Sequence, residues 1–219
     1  MPLGALIARF EHIRPAWLEL EFRHAVLAFG GGALLSAVAL VLIPEGTKLH
    51  PPIMVALLVG SGGVAFMFLD RFLAARKSPA AQLAAMLSDF IPEAIALGAA
   101  FATEGNAGFL LALLIGIQNL PEGFNAYREM TASAPKTGRR VIVAFACLSL
   151  LGPVAGLTGL FVLSAYPGVV AGMMLFAAGG ILYVTFQDVA PQAKLEQHWA
   201  PPLGAVAGFL LGVIGQMLI

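Results

Sequence analysis

Three carboxylates, Asp89, Glu93 and Glu122, fall inside long apolar stretches of the chain, where a charge is costly. Near the centre of a bilayer each costs at least about 2–3 kcal/mol on insertion scales. Such a group needs a proton, water or a counter-charge, and the two stretches that carry these three contain no Lys, Arg or His. The local setting is repeated. Ser88-Asp89-Phe90-Ile91-Pro92-Glu93-Ala94 parallels Ile117-Gln118-Asn119-Leu120-Pro121-Glu122-Gly123. In each, a Glu follows a Pro and has an oxygen-bearing side chain four residues earlier, Asp89 or Gln118. Positions i and i+4 share a helix face, and Asn119 at i−3 from Glu122 lies on the same side. Each Pro withholds an N–H, which leaves the carbonyl a turn earlier without its donor. Carboxylate, amide and carbonyl oxygens together suit a hard cation. Asp89, Glu93, Gln118, Asn119 and Glu122 are therefore the candidate metal ligands. The competing reading makes each Glu a protonated group bonded to a neighbouring backbone.

These residues need helices to hold them. Of 219 residues, 59% are hydrophobic and only 11% charged, with a mean hydropathy of +0.90. Soluble domains carry about a quarter charged residues. Seven apolar runs stand out, at 25–44, 53–74, 81–103, 107–127, 141–165, 168–188 and 203–219, each near the length of about 20 residues that a spanning helix requires. None alternates apolar with polar as a barrel strand would. The expected fold is all-α, a polytopic helical membrane bundle of about seven transmembrane helices. Glycine runs such as Gly30-Gly31-Gly32 and Gly60-Ser61-Gly62-Gly63 then serve close helix contact rather than loops. The chain divides into an N-terminal segment, 1–24, and one transmembrane domain, 25–219. In the former, Leu3, Leu6, Ile7 and Phe10 recur at helical spacing. They predict a short amphipathic helix ending near Pro15, either on the membrane surface or packed on the bundle. Cys147, the only cysteine, reads as a small buried hydrophobe.

Charge placement orients the bundle. Arg9, Arg14, Arg23, Arg71, Arg76, Lys77, Arg128, Lys136, Arg139, Arg140 and Lys194 fall on one side of a seven-span chain, and Lys48 alone on the other. Cytoplasmic connections are rich in Lys and Arg, so the N-terminus is expected inside and the C-terminus outside. Twelve basic and twelve acidic residues balance, which gives no reason to expect a nucleic acid. The short connection at Glu104-Gly105-Asn106 makes the third and fourth spans antiparallel neighbours.

At these residues the chain resembles the ZIP (Zrt/Irt-like protein) family of divalent metal transporters. Asn119-Leu120-Pro121-Glu122-Gly123 is similar to the family's His-Asn-x-Pro-Glu-Gly, and Phe90-Ile91-Pro92-Glu93-Ala94 is similar more loosely. Gly32-Ala33-Leu34-Leu35 leading to Leu42-Ile43-Pro44-Glu45-Gly46 resembles the family's second helix. Phe176-Ala177-Ala178-Gly179-Gly180-Ile181-Leu182-Tyr183 leading to Asp188-Val189-Ala190-Pro191 resembles its seventh. The likeness covers most of 25–219 in the family's order, with the family's first helix apparently missing or reduced to residues 1–24.

The resemblance implies transport of zinc, manganese, iron or a similar divalent cation as substrate. It also marks departures. The family's metal-binding His positions hold Asp89 and Gln118, an Asn position holds Phe90, and a bridging Glu position holds Gly152. The acidic residue expected after Pro191 is Gln192. His12, His24, His50 and His198 all lie outside the apolar runs. What remains is an all-oxygen set, which favours manganese, magnesium or calcium more than an imidazole site does.

The expected function is secondary transport of a divalent cation through a mid-membrane carboxylate site on the third and fourth spans. The alternative is a metal-responsive protein on the same scaffold that transports weakly or not at all. A third class, an intramembrane enzyme, has only Ser88 beside Asp89 to recommend it. A lone helical Ser more often bonds back to its own helix, so no catalytic residue is assigned. The partners expected are the cation and the lipid bilayer, with a homodimer as the oligomer considered, in a multi-pass inner-membrane protein. Asn125 could line the same path or cap a helix end. Gln187 and Asp188 could sit at the inner mouth, and Glu45, Lys48 and His50 at the outer one. Trp17, Trp199 and Tyr183 suit interfacial anchoring or packing.

Overall fold

The computed structural model describes residues 1–11, 16–75, 79–101, 107–132, 137–194 and 199–218; within these, the side chains of 16–18, 74, 79–85, 88, 89 and 107 are not described. Every regular element among the described residues is helical. The chain opens with α1 (Pro2–Phe10). A long first rod follows, made of α2 (Ala16–Ala37), a π-helical turn (Val38–Leu42) and α3 (Ile43–Thr47). Next come α4 (Pro52–Ala74), α5 (Pro79–Phe101) and α6 (Ala107–Ala132). A bent rod is formed by α7 (Gly138–Ser149) and α8 (Leu151–Phe161). The next joins α9 (Pro167–Val184), a second π-helical turn (Thr185–Val189) and α10 (Ala190–Ala193). The last is α11 (Ala200–Leu218).

Five helical stretches are long and apolar enough to cross a membrane: Glu19–Thr47, Pro52–Leu73, Gly138–Ala165, Pro167–Ala193 and Ala200–Leu218. Glu93 and Glu122 are carried by α5 and α6. In α5 the apolar stretch whose side chains are all described is Phe90–Phe101. In α6, Gln118, Asn119, Glu122, Asn125, Arg128 and Glu129 interrupt the apolar sequence.

Close packing rests on small residues. α11 lies along α2, and a β-carbon on Gly204, Gly208 or Gly212 would overlap the Ala25 carbonyl, the Phe29 carbonyl or the Ser36 hydroxyl. α4 meets α9 where Gly62 faces the Phe176 carbonyl and Gly179 the Val59 carbonyl. α5 meets α8 where Gly98 faces Gly156 and Gly159 faces Ile95. Lipid tails give little hydrophobic drive for helix association, so close van der Waals contact of this kind is what holds such a bundle together. The central core is apolar, with Val41, Leu42, Leu111, Leu114, Leu175 and Ile181 fully buried.

α1 is helical, but it ends at Phe10, short of Pro15, which lies outside the described residues. It packs on α6 and α7 through Gly4, Ala5 and Ala8, which are buried. Leu3, Leu6, Ile7 and Phe10 point outward. The helix therefore docks by its small-residue face and leaves its large apolar residues for the surroundings. Cys147 is exposed, a correction to its reading as a buried hydrophobe: its helix turns that side away from the neighbouring rods.

Candidate metal site between α5 and α6

Pro92 and Pro121 sit inside continuous helices. Each lacks the N–H that would bond the carbonyl four residues earlier, Ser88 or Ile117 respectively. α2 accommodates the proline turn of α6 at Gly30, where a β-carbon would come within 3.0 Å of the Pro121 side chain.

Across the α5–α6 seam, Gln118 Nε2 donates to Glu93 Oε2 at 2.6 Å. Asn119 Nδ2 donates to the Ile115 carbonyl at 2.7 Å, one turn back on its own helix. Both amides are therefore held by their nitrogen ends. Glu93 and Gln118 are each 1% exposed and Asn119 7%. Three buried acceptors are left without a protein donor: Glu93 Oε1, Gln118 Oε1 and Asn119 Oδ1. An unsatisfied buried polar atom costs about 1–3 kcal/mol. Three acceptors together favour an electron-poor guest. Glu122, half-buried and one turn beyond Gln118, lies within electrostatic reach of Glu93.

The structure thus joins Glu93 to Gln118 directly and leaves Glu122 within electrostatic reach of Glu93, while Asn119, next to Gln118 in α6, is bonded only to its own helix. Asp89 lies in α5 one turn before Glu93, but its side chain, like that of Ser88, is outside the described residues. Among the described residues no three His, Cys, Asp or Glu side chains converge. The oxygen set consists of two carboxylates and two amides, and the amides fall outside that search. Phe90 and Gly152 meet directly: a β-carbon on Gly152 would lie 2.5 Å from the Phe90 ring. An aromatic ring fills the space where a larger side chain at 152 would stand.

The outer candidates are engaged with one another or with backbone. Lys48 Nζ bonds Glu45 Oε1 at 2.6 Å, and His50 Nε2 donates to the Gly168 carbonyl at 2.9 Å. On the opposite side, Tyr183 donates to Asp70 Oδ2 at 3.2 Å. Two features lie beyond what the sequence pattern singled out. His24 belongs to α2, inside the apolar-helix stretch that begins at Glu19, and it lines a polar cavity of about 170 Å³ with Asn125, Glu129 and Gln192. The signal for Glu129 was its spacing, seven residues after Glu122. His12, His198 and the Glu104–Asn106 connection are outside the described residues.

Neither a family model nor a curated protein sequence matches the chain.

Proposed function

We propose that this protein is a secondary transporter of a divalent cation, built on a ZIP-like scaffold, with Glu93 and Glu122 acting on one ion. The observation that carries this reading is the orientation of the two amides. Gln118 and Asn119 are anchored by their nitrogens to Glu93 and to backbone, which leaves Glu93, Gln118 and Asn119 each with a buried, unpartnered oxygen. Two carboxylates neutralise a divalent ion, the amide oxygens complete part of its shell, and Asp89 is the fifth ligand in this proposal. The Phe90–Gly152 contact favours a single-ion site over a bridged pair.

In the same reading α5 and α6 cross the bilayer with the other five rods, giving seven spans with the N-terminus inside. Transport through paired, proline-broken helices at mid-membrane follows a recurrent transporter design. An oxygen-only set directs preference toward manganese, magnesium or calcium rather than zinc.

A specific contact favours the non-transporting alternative. α1 seats against the proline turn of α6, with Gly4 at the Leu120 carbonyl and Gly123 at the Met1 carbonyl, and would hold that turn fixed. Flux separates the two readings. Purified protein is analysed for bound metal and then reconstituted in liposomes with Zn, Mn, Fe, Cd, Mg and Ca in turn. Flux of any of these that Glu93→Gln and Glu122→Gln abolish supports transport. Metal binding without flux in the unmodified protein gives the alternative.

A further inference from the structure

The polar stripe of α6 does not end at Glu122. Asn125 and Glu129 follow at three and seven residues, on the same helical face. They lead into the cavity of about 170 Å³ that Arg23, His24 and Leu27 of α2 and Gln192 of α10 close from the other sides. Both polar atoms of the Asn125 side chain, Oδ1 and Nδ2, are buried and without a partner. A buried amide satisfied at neither end costs about 1–3 kcal/mol per group, and a cation in the cavity relieves the cost at the oxygen.

His24 is prepared for the same task. Its Nδ1 lies 2.6 Å from the Leu20 carbonyl. A carbonyl only accepts, so the proton sits on Nδ1, and in the neutral ring the lone pair is then on Nε2. An Nδ1–H held by a backbone carbonyl is the arrangement in which imidazole commonly binds a metal through Nε2. The field is mixed. Arg23 brings one positive charge to the wall, while Asp188, on the π-helical turn after α9, lies within electrostatic reach of both Glu129 and Asp70.

We infer that the α2–α6–α10 cavity is a second divalent-cation site, with His24 Nε2, Asn125 Oδ1 and the Glu129 carboxylate as its protein ligands. It rests on the transporter reading in one respect: the site is a second station on the path that begins at Glu122. At 1.5 Å rise per residue, Glu129 is about 10 Å further along the α6 axis. That spacing allows two ions at once, so that occupancy of one station aids departure from the other. One imidazole nitrogen with two oxygens suits zinc or cobalt better than the all-oxygen set does. The two stations therefore differ in preference.

Calorimetric titration of the purified full chain with zinc tests this, together with the cobalt(II) absorption spectrum as a report on nitrogen ligation. The unmodified protein should show two classes of site. His24→Ala and Glu129→Gln should each weaken one class at least about tenfold, and His24→Ala should remove the nitrogen signature. Glu122→Gln should weaken the other class and leave the nitrogen signature in place. Asn125→Leu provides a readout that a merely structural role would not give: replacing an unsatisfied amide by an apolar side chain of similar size should raise thermal stability while weakening zinc at this site. Zinc isotherms unchanged by both His24→Ala and Asn125→Leu overturn the second site. Isotherms sensitive to His24→Ala but indifferent to Glu93→Gln and Glu122→Gln leave it standing and remove the mid-membrane reading instead.

Discussion

Gln118 donates its amide proton to the Glu93 carboxylate across the seam of two proline-containing helices, at 2.6 Å. The bond joins residues 25 positions apart in sequence and fixes which end of each group faces inward. The chemistry of the site follows from that choice, because an amide anchored by its nitrogen keeps its carbonyl oxygen free to accept.

Glu93 and Glu122 are expected to behave as one unit. Glu93→Gln or Glu122→Gln keeps size and hydrogen bonding but removes the charge that offsets dehydration of the ion. Either should weaken metal binding at least about 100-fold, the scale of breaking a buried charge pair, while the protein still folds. The double variant should add little, since effects within one site are not additive. Asp89→Asn should be milder, because an amide oxygen still coordinates. Calorimetry and liposome flux on the four proteins check this, and normal metal handling by both single variants would end the proposal.

Metal preference should move with the ligand at 118. Gln118→His introduces an imidazole beside Glu93 and Glu122, and should raise affinity for zinc relative to manganese. Competition binding with the two ions measures the ratio. In a His24→Ala background, a protein with glutamine at 118 that still binds zinc tightly and ignores manganese contradicts the all-oxygen argument.

Topology is open to chemical labelling. Cys147 is the only native thiol and is exposed, so Cys147→Ser provides the background. In that background Ala75→Cys should react with a membrane-impermeant maleimide only from the cytoplasmic side, and Leu49→Cys, at an exposed position after α3, only from outside. Labelling of both from one side would rule out the seven-span arrangement.

The glycine contacts predict unequal costs. Gly208→Val pushes a branched side chain into the Phe29 backbone, and overpacking of this kind costs about 1–3 kcal/mol. Gly116→Ala meets open space and should be close to neutral. Thermal unfolding in detergent compares them, and equal midpoints would mean that α2 and α11 do not pack as described.

Much of this arrangement is legible in the sequence, for identifiable reasons. Hydropathy alone places 53–74 and 107–127 almost on α4 (Pro52–Ala74) and α6 (Ala107–Ala132), because apolar length is what makes those helices. It starts the first rod at 25, whereas the helix begins at Ala16. Glu19, Glu21, Arg23 and His24 look like a polar leader in one dimension. In three, Arg128 of α6 reaches Glu19 directly and Glu11 at 3.2 Å, so the charges are partly matched inside the assembly. His24 was discounted for that reason. The two π-helical turns have no simple signature in composition. Asn119 was read as a ligand from its spacing, but that its nitrogen would be occupied by the Ile115 carbonyl could be known only from the geometry.

The seam of Gly204, Gly208 and Gly212 joins α2 to α11, with α4 to α10 synthesised between them. While the ribosome works through α4 to α10, at about 5–20 residues per second, the small-residue groove of α2 stands without its partner for on the order of ten seconds. The bundle therefore closes late. A chain halted before α11 leaves that groove uncovered, and a lesion in α11 therefore disturbs the packing of α2 as well.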